Sequence, residues 1–417
     1  MKKILILTIT AGNGHNACAR GMKRKLEEAG DCEVRIVDML KTYSTKLVQW
    51  FSNEAYSLVV SKLPFAYNAF YENYINRPPN HRYSTPSQNT VLSITEGLLK
   101  EILEFQPDVV YSTHFYGSMA TTNLKLVYDL PFVDISAALD YVLSPFWESG
   151  IGVDHFIIPN EDFIDYAIYK GYKKEQLMPI GLPVDGRSLD KSDKKEARKA
   201  LGLDEDTFTV MVMFGGGYWN GGYKIFKDLV KALKGRKAQI IMVNGKNEKS
   251  FKKTAKTKLP DGIKVLNVGF TSEVPLYMSA ADIILNKFGG TSVTEMINKE
   301  LPMLITEKIA AQEKHNLVYM KEKGVALSFK NAKTLKQNVL KLMDDPDLRR
   351  SMSEKTVPLK KNAIDVLAEL ILSQPKADYT ELLKQDIDFK TVEKTVRKAL
   401  KKADKAEKKK PNPVYHK

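Results

Sequence analysis

Two short stretches carry residue types and spacings suited to phosphate and hydroxyl chemistry. The first is Ala11-Gly12-Asn13-Gly14-His15-Asn16-Ala17, which follows a continuous apolar run at residues 3–9. A histidine titrating near neutral pH at the mouth of a parallel sheet suits a general base. One that caps its own helix, or is simply exposed, fits the sequence equally well. The second stretch is residues 286–316. There a buried strand, Asp282 to Leu285, ends ahead of Gly289-Gly290, and a helix starts at Thr291 or Ser292. Such a turn offers unpaired backbone N–H groups and the positive end of a helix dipole, which suits a phosphate. Glu295, one turn in, is placed for ribose hydroxyls beside that phosphate. Gln312, Glu313 and Asn316 follow at the next strand exit, facing the same crevice. A βαβ unit whose glycines only permit tight packing is the plainer alternative.

The first turn also fits G-x-G-x-x-A, with Asp38 at the downstream distance of a dinucleotide ribose contact. A nicotinamide- or flavin-binding protein is therefore a rival, although that reading has no need of His15. A further cluster, Gly215-Gly216-Gly217-Tyr218-Trp219-Asn220-Gly221-Gly222, has five glycines in eight residues after an apolar run. It leaves backbone free to approach a ligand. Neither a P-loop Gly-Lys-Ser/Thr nor a kinase signature is present.

The elements that must position these residues alternate strand and helix twice over. Residues 3–9 read as a central parallel strand, followed by a helix to about Ala29 with Cys18, Met22 and Leu26 at helical spacing. Strands are expected at Val34–Val37, Asp108–Ser112, Phe132–Ala137, His155–Pro159 and Met178–Val184. Thr113-His114 and Asp140-Tyr141 stand at strand ends, where open α/β sheets bind ligands. Gly181, Pro183 and Gly186 mark a domain boundary. A second series has strands at Phe208–Phe214, Gln239–Val243, Lys264–Val268, Asp282–Leu285 and Met303–Thr306, which predicts a second doubly wound sheet. The expected domains are 1–185, 186–372 and a basic tail, 373–417, helical in part and disordered at its end.

The 417 residues, 43% of them hydrophobic, suffice for two packed cores. Two cysteines, Cys18 and Cys32, form neither a metal spacing nor a disulfide framework, which fits a reducing, cytoplasmic compartment. Met-Lys-Lys and Ile4–Thr10 mimic the start of a signal peptide, but the run enters Gly-Asn-Gly and reads as a first strand. No apolar run approaches the length of a membrane span. The net charge of +14 points to a polyanionic partner. No zinc-finger, RNP-type or helix-turn-helix pattern accompanies it, and nucleic acid is not the expected one.

Residues 45–85 interleave Trp50, Phe51, Phe65, Tyr67 and other aromatics with Lys46, Lys62, Arg77 and Arg82. That mixture suits a membrane interface, or a pair of aromatic-rich core helices. Residues 374–417 hold twelve Lys and one Arg against seven Asp and Glu, a surplus of six positive charges. Val392, Val396 and Leu400 share one helical face there. The tail reads as a membrane-surface element or as a solvated helix fraying into disorder.

The motifs resemble an inverting glycosyltransferase-B family that holds the diacylglycerol glucosyl- and galactosyltransferases and the lipid II-forming N-acetylglucosaminyltransferase. The residues that carry the resemblance are Gly12-Asn13-Gly14-His15, Asp140 to Trp147, Gly215 to Gly217, Gly289-Gly290-Thr291-x-x-x-Glu295 and Gln312-Glu313-x-x-Asn316. It runs from residue 3 to about 345, and the first turn is most similar to the diacylglycerol glucosyltransferases. The resemblance implies an α/β fold of two doubly wound Rossmann-like domains facing a cleft, with the basic helical tail added.

It also implies roles. Glu295 would bind the uridine ribose of a UDP-sugar, and Gly289, Gly290 and Thr291 would cradle its diphosphate. Gln312 and Glu313 would contact the sugar hydroxyls, with Asn316 in the same donor set. Backbone near Phe270 would recognise uracil, and Gly215 and Gly216 would lie on the donor side. His15 would be the base and Asp140 its orienter or substitute. Gly14, Trp50, Phe51, Phe65, Tyr67 and Trp147 would serve the acceptor and the membrane. The reaction implied is inverting transfer of a hexose to diacylglycerol on an anionic membrane surface, by a peripheral protein on the cytoplasmic leaflet. The leaving UDP would be stabilised by helix N-termini, with no metal or other cofactor. Three positions depart from the family pattern: Ser144 stands for a usual histidine, Phe288 for Pro or Gly, and Ala311 for Gly.

Overall fold

The computed structural model describes residues 1–10, 14–46, 49, 64–75, 79–190, 193–214, 221–309 and 311–410. Tertiary contacts divide the chain into two compact units, residues 1–185 with 362–417, and residues 186–361.

The first unit is built on a six-stranded parallel sheet in the order β2-β1-β3-β4-β5-β6. Its strands are β1 Lys2–Thr8, β2 Cys32–Asp38, β3 Val109–Ser112, β4 Val133–Ala137, β5 His155–Ile157 and β6 Leu177–Met178. Ile4, Leu5, Ile6 and Leu7 are all fully buried. A central parallel strand is covered by helices on both faces, which is why the run is continuously apolar rather than alternating. Chain order reverses between β1 and β3, so the loops leaving these two strands flank the switch point of the sheet.

The second unit repeats the plan with the order β12-β11-β10-β7-β8-β9. Its strands are β7 Thr209–Met213, β8 Ala238–Val243, β9 Ile263–Val268, β10 Ile283–Asn286, β11 Met303–Thr306 and β12 Ala326–Phe329. The switch point falls between β7 and β10, the strands that precede the glycine cluster at 215–222 and the Gly289-Gly290 turn. β12, a four-residue edge strand, is absent from the sequence reading because its run is too short to show a period.

The C-terminal segment belongs to the first unit. The Ala363–Ser373 helix packs on the Gly14–Ala29 helix, with Lys25 and Asp365 paired at 2.6 Å. Farther on, the Ala377 amide donates to Asp108 Oδ1 at 2.9 Å, and Tyr379 Oη to the Pro107 carbonyl at 2.8 Å.

The Val392–Glu407 helix then buries Val392, Val396 and Leu400 against Leu92, Leu98 and Leu99. Burial of each such side chain stabilises by roughly 1.5–3 kcal/mol. Arg82, itself buried, pairs with Glu407 at 2.9 Å, and Ser84 donates to Asp404 at 2.7 Å. The sequence allowed this apolar face to meet a membrane or solvent, but it is packed on the first unit. Lys394, Lys398, Lys401, Lys402 and Lys405 point outward and are exposed.

Candidate functional site

In the first unit, β1 delivers His15 at the start of the Gly14–Ala29 helix, and β3 delivers Thr113 and His114. The crossover is tied down by side chains. Thr8 Oγ1 donates to Asn16 Oδ1 at 3.0 Å, and Asn16 Nδ2 donates to Thr10 Oγ1 at 2.9 Å. Thr10 in turn donates to Asp38, whose other oxygen caps the Met39–Tyr43 helix. Asp38, the acid a dinucleotide site would need for its ribose, is thus engaged within the fold.

His15 Nδ1 lies 2.5 Å from the Thr113 carbonyl oxygen. A carbonyl only accepts, so Nδ1 carries the proton and neutral His15 keeps its lone pair on Nε2. Burial holds the pKa of His15 below the usual histidine value, opposed by the bond to Thr113. The ring packed against it is that of His114, with centroids 4.7 Å apart and planes at 80°. Burial and the neighbouring His15 press the pKa of His114 well below its ordinary value.

A run of aromatic rings leads away from the histidines. His114 packs on Phe115 at 4.1 Å, Phe115 stacks on Phe146 at 5.0 Å, and Phe146 stacks on Tyr74 at 4.8 Å. Phe115 and Phe146 remain partly exposed, which leaves apolar surface beside the imidazoles. Trp147 is buried, with its ring 5.1 Å from Phe156 and its carbonyl accepting from Tyr172 Oη at 2.8 Å. It braces the Pro145–Gly150 turn from beneath. Ser144, at the usual histidine position, caps that turn by accepting the Phe146 amide.

Asp140 is half-buried in the bend that follows β4, one strand beyond β3. The Nδ1 partner that orients His15 is the Thr113 carbonyl. Phe65 and Tyr67 lie on the Pro64–Ile75 helix. Trp50 and Phe51 fall outside the described residues.

In the second unit, β10 ends at Asn286 and the chain turns through Lys287 and Phe288 into the Gly290–Asn298 helix. Phe288 is fully buried with φ of 74°. This left-handed backbone is unfavourable for a bulky residue. Two bonds impose it: the Phe288 amide donates to Asn286 Oδ1 at 2.8 Å, and its carbonyl accepts from Asn316 Nδ2 at 3.1 Å. Asn316, expected among the donor contacts, is itself fully buried and supports the turn.

Gly289 occupies the N-cap, with no side-chain cap bond, so the first helical amides face the loop. A Cβ at Gly289 would meet nothing nearer than Glu313 Oε1 at 3.9 Å, which leaves space over the turn. Lys287 Nζ pairs with Glu313 Oε1 at 2.6 Å, adding a cation at the same helix end. Thr291 and Glu295 are half-buried on the helix. Gln312 lies in the first turn of the Ala311–Glu322 helix. Phe270, just after β9, is 66% exposed with Lys246 Nζ 5.2 Å above its ring. Gly215 and Gly216 fall outside the described residues.

Sequence reasoning gives Lys287 no part, places His114 only among the polar groups at strand ends, and marks Phe288 only as a departure from the family pattern. His114 was visible as a polar group at a strand end, but its pairing with His15 depends on β1 lying beside β3. A cation after a strand carries no signal of its own until Glu313 is placed.

The monogalactosyldiacylglycerol (MGDG) synthase model matches residues 15–184, and the glycosyltransferase family 28 C-terminal domain model matches residues 223–371. A processive diacylglycerol beta-glucosyltransferase of Staphylococcus saprophyticus is 24% identical over 361 residues, 85% of this chain and 88% of that protein. A probable chloroplastic monogalactosyldiacylglycerol synthase of Glycine max is 26% identical over 359 residues, 80% of this chain and 64% of that protein. In fold, the crystal structure of Acinetobacter baumannii MurG aligns with a TM-score of 0.60 at 12% identity, covering 89% of this chain and 99% of that one. The first model lies within the first unit and the second covers most of the second unit, so the chain is similar, in that order, to the monogalactosyldiacylglycerol synthases and to the C-terminal domain of family 28 glycosyltransferases.

Proposed function

We propose that the protein transfers a hexose from a UDP-sugar to diacylglycerol, with inversion, by direct displacement at the anomeric carbon. The observation that carries this reading is His15, fixed with a basic Nε2 at a sheet switch point and bordered by partly exposed aromatic rings. A base beside apolar surface suits a lipid whose reacting hydroxyl sits next to acyl chains. Relatives named as diacylglycerol glucosyltransferase and monogalactosyldiacylglycerol synthase support the acceptor class.

His15 Nε2 would take the proton of the acceptor hydroxyl as its oxygen bonds to the anomeric carbon. The bond from that carbon to UDP breaks, and its electron pair leaves with the diphosphate. The amides at the start of the Gly290–Asn298 helix, with Lys287 beside them, would receive that charge, and no metal is needed. Glu295 would hold the ribose, Gln312 and Glu313 the sugar, and Phe270 would lie by the uracil.

The protein would act as a peripheral enzyme on the cytoplasmic leaflet. Among the described residues no helix is long and apolar enough to cross a membrane. The test is transfer of radiolabelled hexose from UDP-glucose or UDP-galactose to diacylglycerol in mixed micelles. Transfer only to soluble acceptors would refute the lipid assignment.

A further inference from the structure

We propose that His114 binds the acceptor, donating a hydrogen bond from Nε2 to an oxygen adjacent to the hydroxyl that His15 deprotonates. The inference rests on the reading of His15 as the base. His114 is only 7% exposed and its ring stands edge-on to that of His15, with centroids 4.7 Å apart. Its Nδ1 accepts the Tyr116 amide at 3.1 Å, because His114 caps the Phe115–Lys125 helix. An accepting Nδ1 has its lone pair occupied, so the neutral ring carries its proton on Nε2.

The positive end of an eleven-residue helix opposes a second proton on a ring at its cap. His114 is thereby a donor at Nε2 and adds no charge beside His15. Among the described residues, Nε2 has no hydrogen-bond partner. The nitrogen is not sealed from solvent although the residue is mostly buried, so a ligand oxygen can reach it and accept its hydrogen.

The two rings present complementary atoms at the same switch point: the lone pair of His15 Nε2 and the N–H of His114 Nε2. Together they fit an acceptor with two neighbouring oxygens, a hydroxyl to be deprotonated and a second oxygen to accept. Diacylglycerol has this pattern, its free hydroxyl lying next to an ester. A long-chain monohydric alcohol has the hydroxyl and the apolar chain but no second oxygen. His114 therefore selects among lipids by oxygen pattern rather than by apolar area.

The test compares diacylglycerol with a long-chain monohydric alcohol in wild type and His114→Asn. Asparagine is a favoured cap and can accept the Tyr116 amide, but its side chain ends short of the position of Nε2. The variant is expected to keep the wild-type melting temperature and the KM for UDP-sugar. Its KM for diacylglycerol should rise by about tenfold or more, while kcat/KM for the alcohol changes by less than about twofold. Equal losses on both acceptors, or no loss on diacylglycerol, would overturn the assignment while transfer by the wild type leaves the proposed function standing. No transfer by the wild type would overturn both.

Discussion

The Nδ1 of His15 donates to the carbonyl oxygen of Thr113 at 2.5 Å, linking the first residues of one crossover to the end of the neighbouring strand. This bond places the ring proton on Nδ1 and leaves the lone pair on Nε2. In the proposed reaction it would also stabilise the imidazolium formed when His15 takes a proton, as an orienting carboxylate would. Burial keeps the ring neutral below the ordinary histidine value of 6.5. The acid limb of kcat/KM against pH is therefore expected below pH 6.5, and rate–pH profiles check it. His15→Ala should lower kcat by about 10²–10⁴-fold, with UDP affinity retained in calorimetry.

Glu295 tests the donor half. Loss of a charged hydrogen-bond acceptor for ribose hydroxyls removes roughly 1.5–3 kcal/mol. Glu295→Ala is expected to weaken UDP binding by about 10–100-fold in a calorimetric titration, with the melting temperature unchanged. Unaltered affinity would remove the ribose assignment.

Much of this arrangement was legible in the chain. Ile4–Leu7 could be read as a central strand because only a strand covered on both faces is apolar without alternation. Gly289-Gly290 could be read as a crossover because a helix pattern follows a short apolar run. Thr113 and His114 were less legible as partners of His15, since they lie about a hundred residues away and meet it through strand order alone. Phe288 is a left-handed residue enforced by Asn286 and Asn316, a tertiary override of local preference that no window of sequence reports.

The tail gives a stability test. Val396 is fully buried, and Val396→Asp should destabilise the first unit by roughly 3 kcal/mol, measured by denaturant unfolding. Because the apolar face is occupied, any attachment to anionic lipid through this helix would rely on its lysines. Replacing Lys394, Lys398, Lys401, Lys402 and Lys405 by Gln should remove about 1 kcal/mol per lysine. Vesicle flotation with and without salt checks this, and salt should release the wild type.

Asp134 provides a pH signature. It lies fully buried on β4 beside Lys125, and burial raises its pKa from 3.8 to about 6. The folded state then binds a proton more tightly than the unfolded state, so stability falls as pH rises from about 4 to 6. A shift of this size corresponds to about 3 kcal/mol. Asp134→Asn should lack that component, and unfolding curves of the two proteins across this range should converge at the acid end and separate above it.

The central claim is transfer to diacylglycerol, and the most direct measurement is radiolabelled hexose transfer from UDP-sugar in mixed micelles, run beside His15→Ala. The account predicts a labelled glycolipid formed by the wild type, with the rate reduced by about 10²-fold or more in the variant. A folded wild type that binds UDP yet labels no lipid from any UDP-hexose would contradict it.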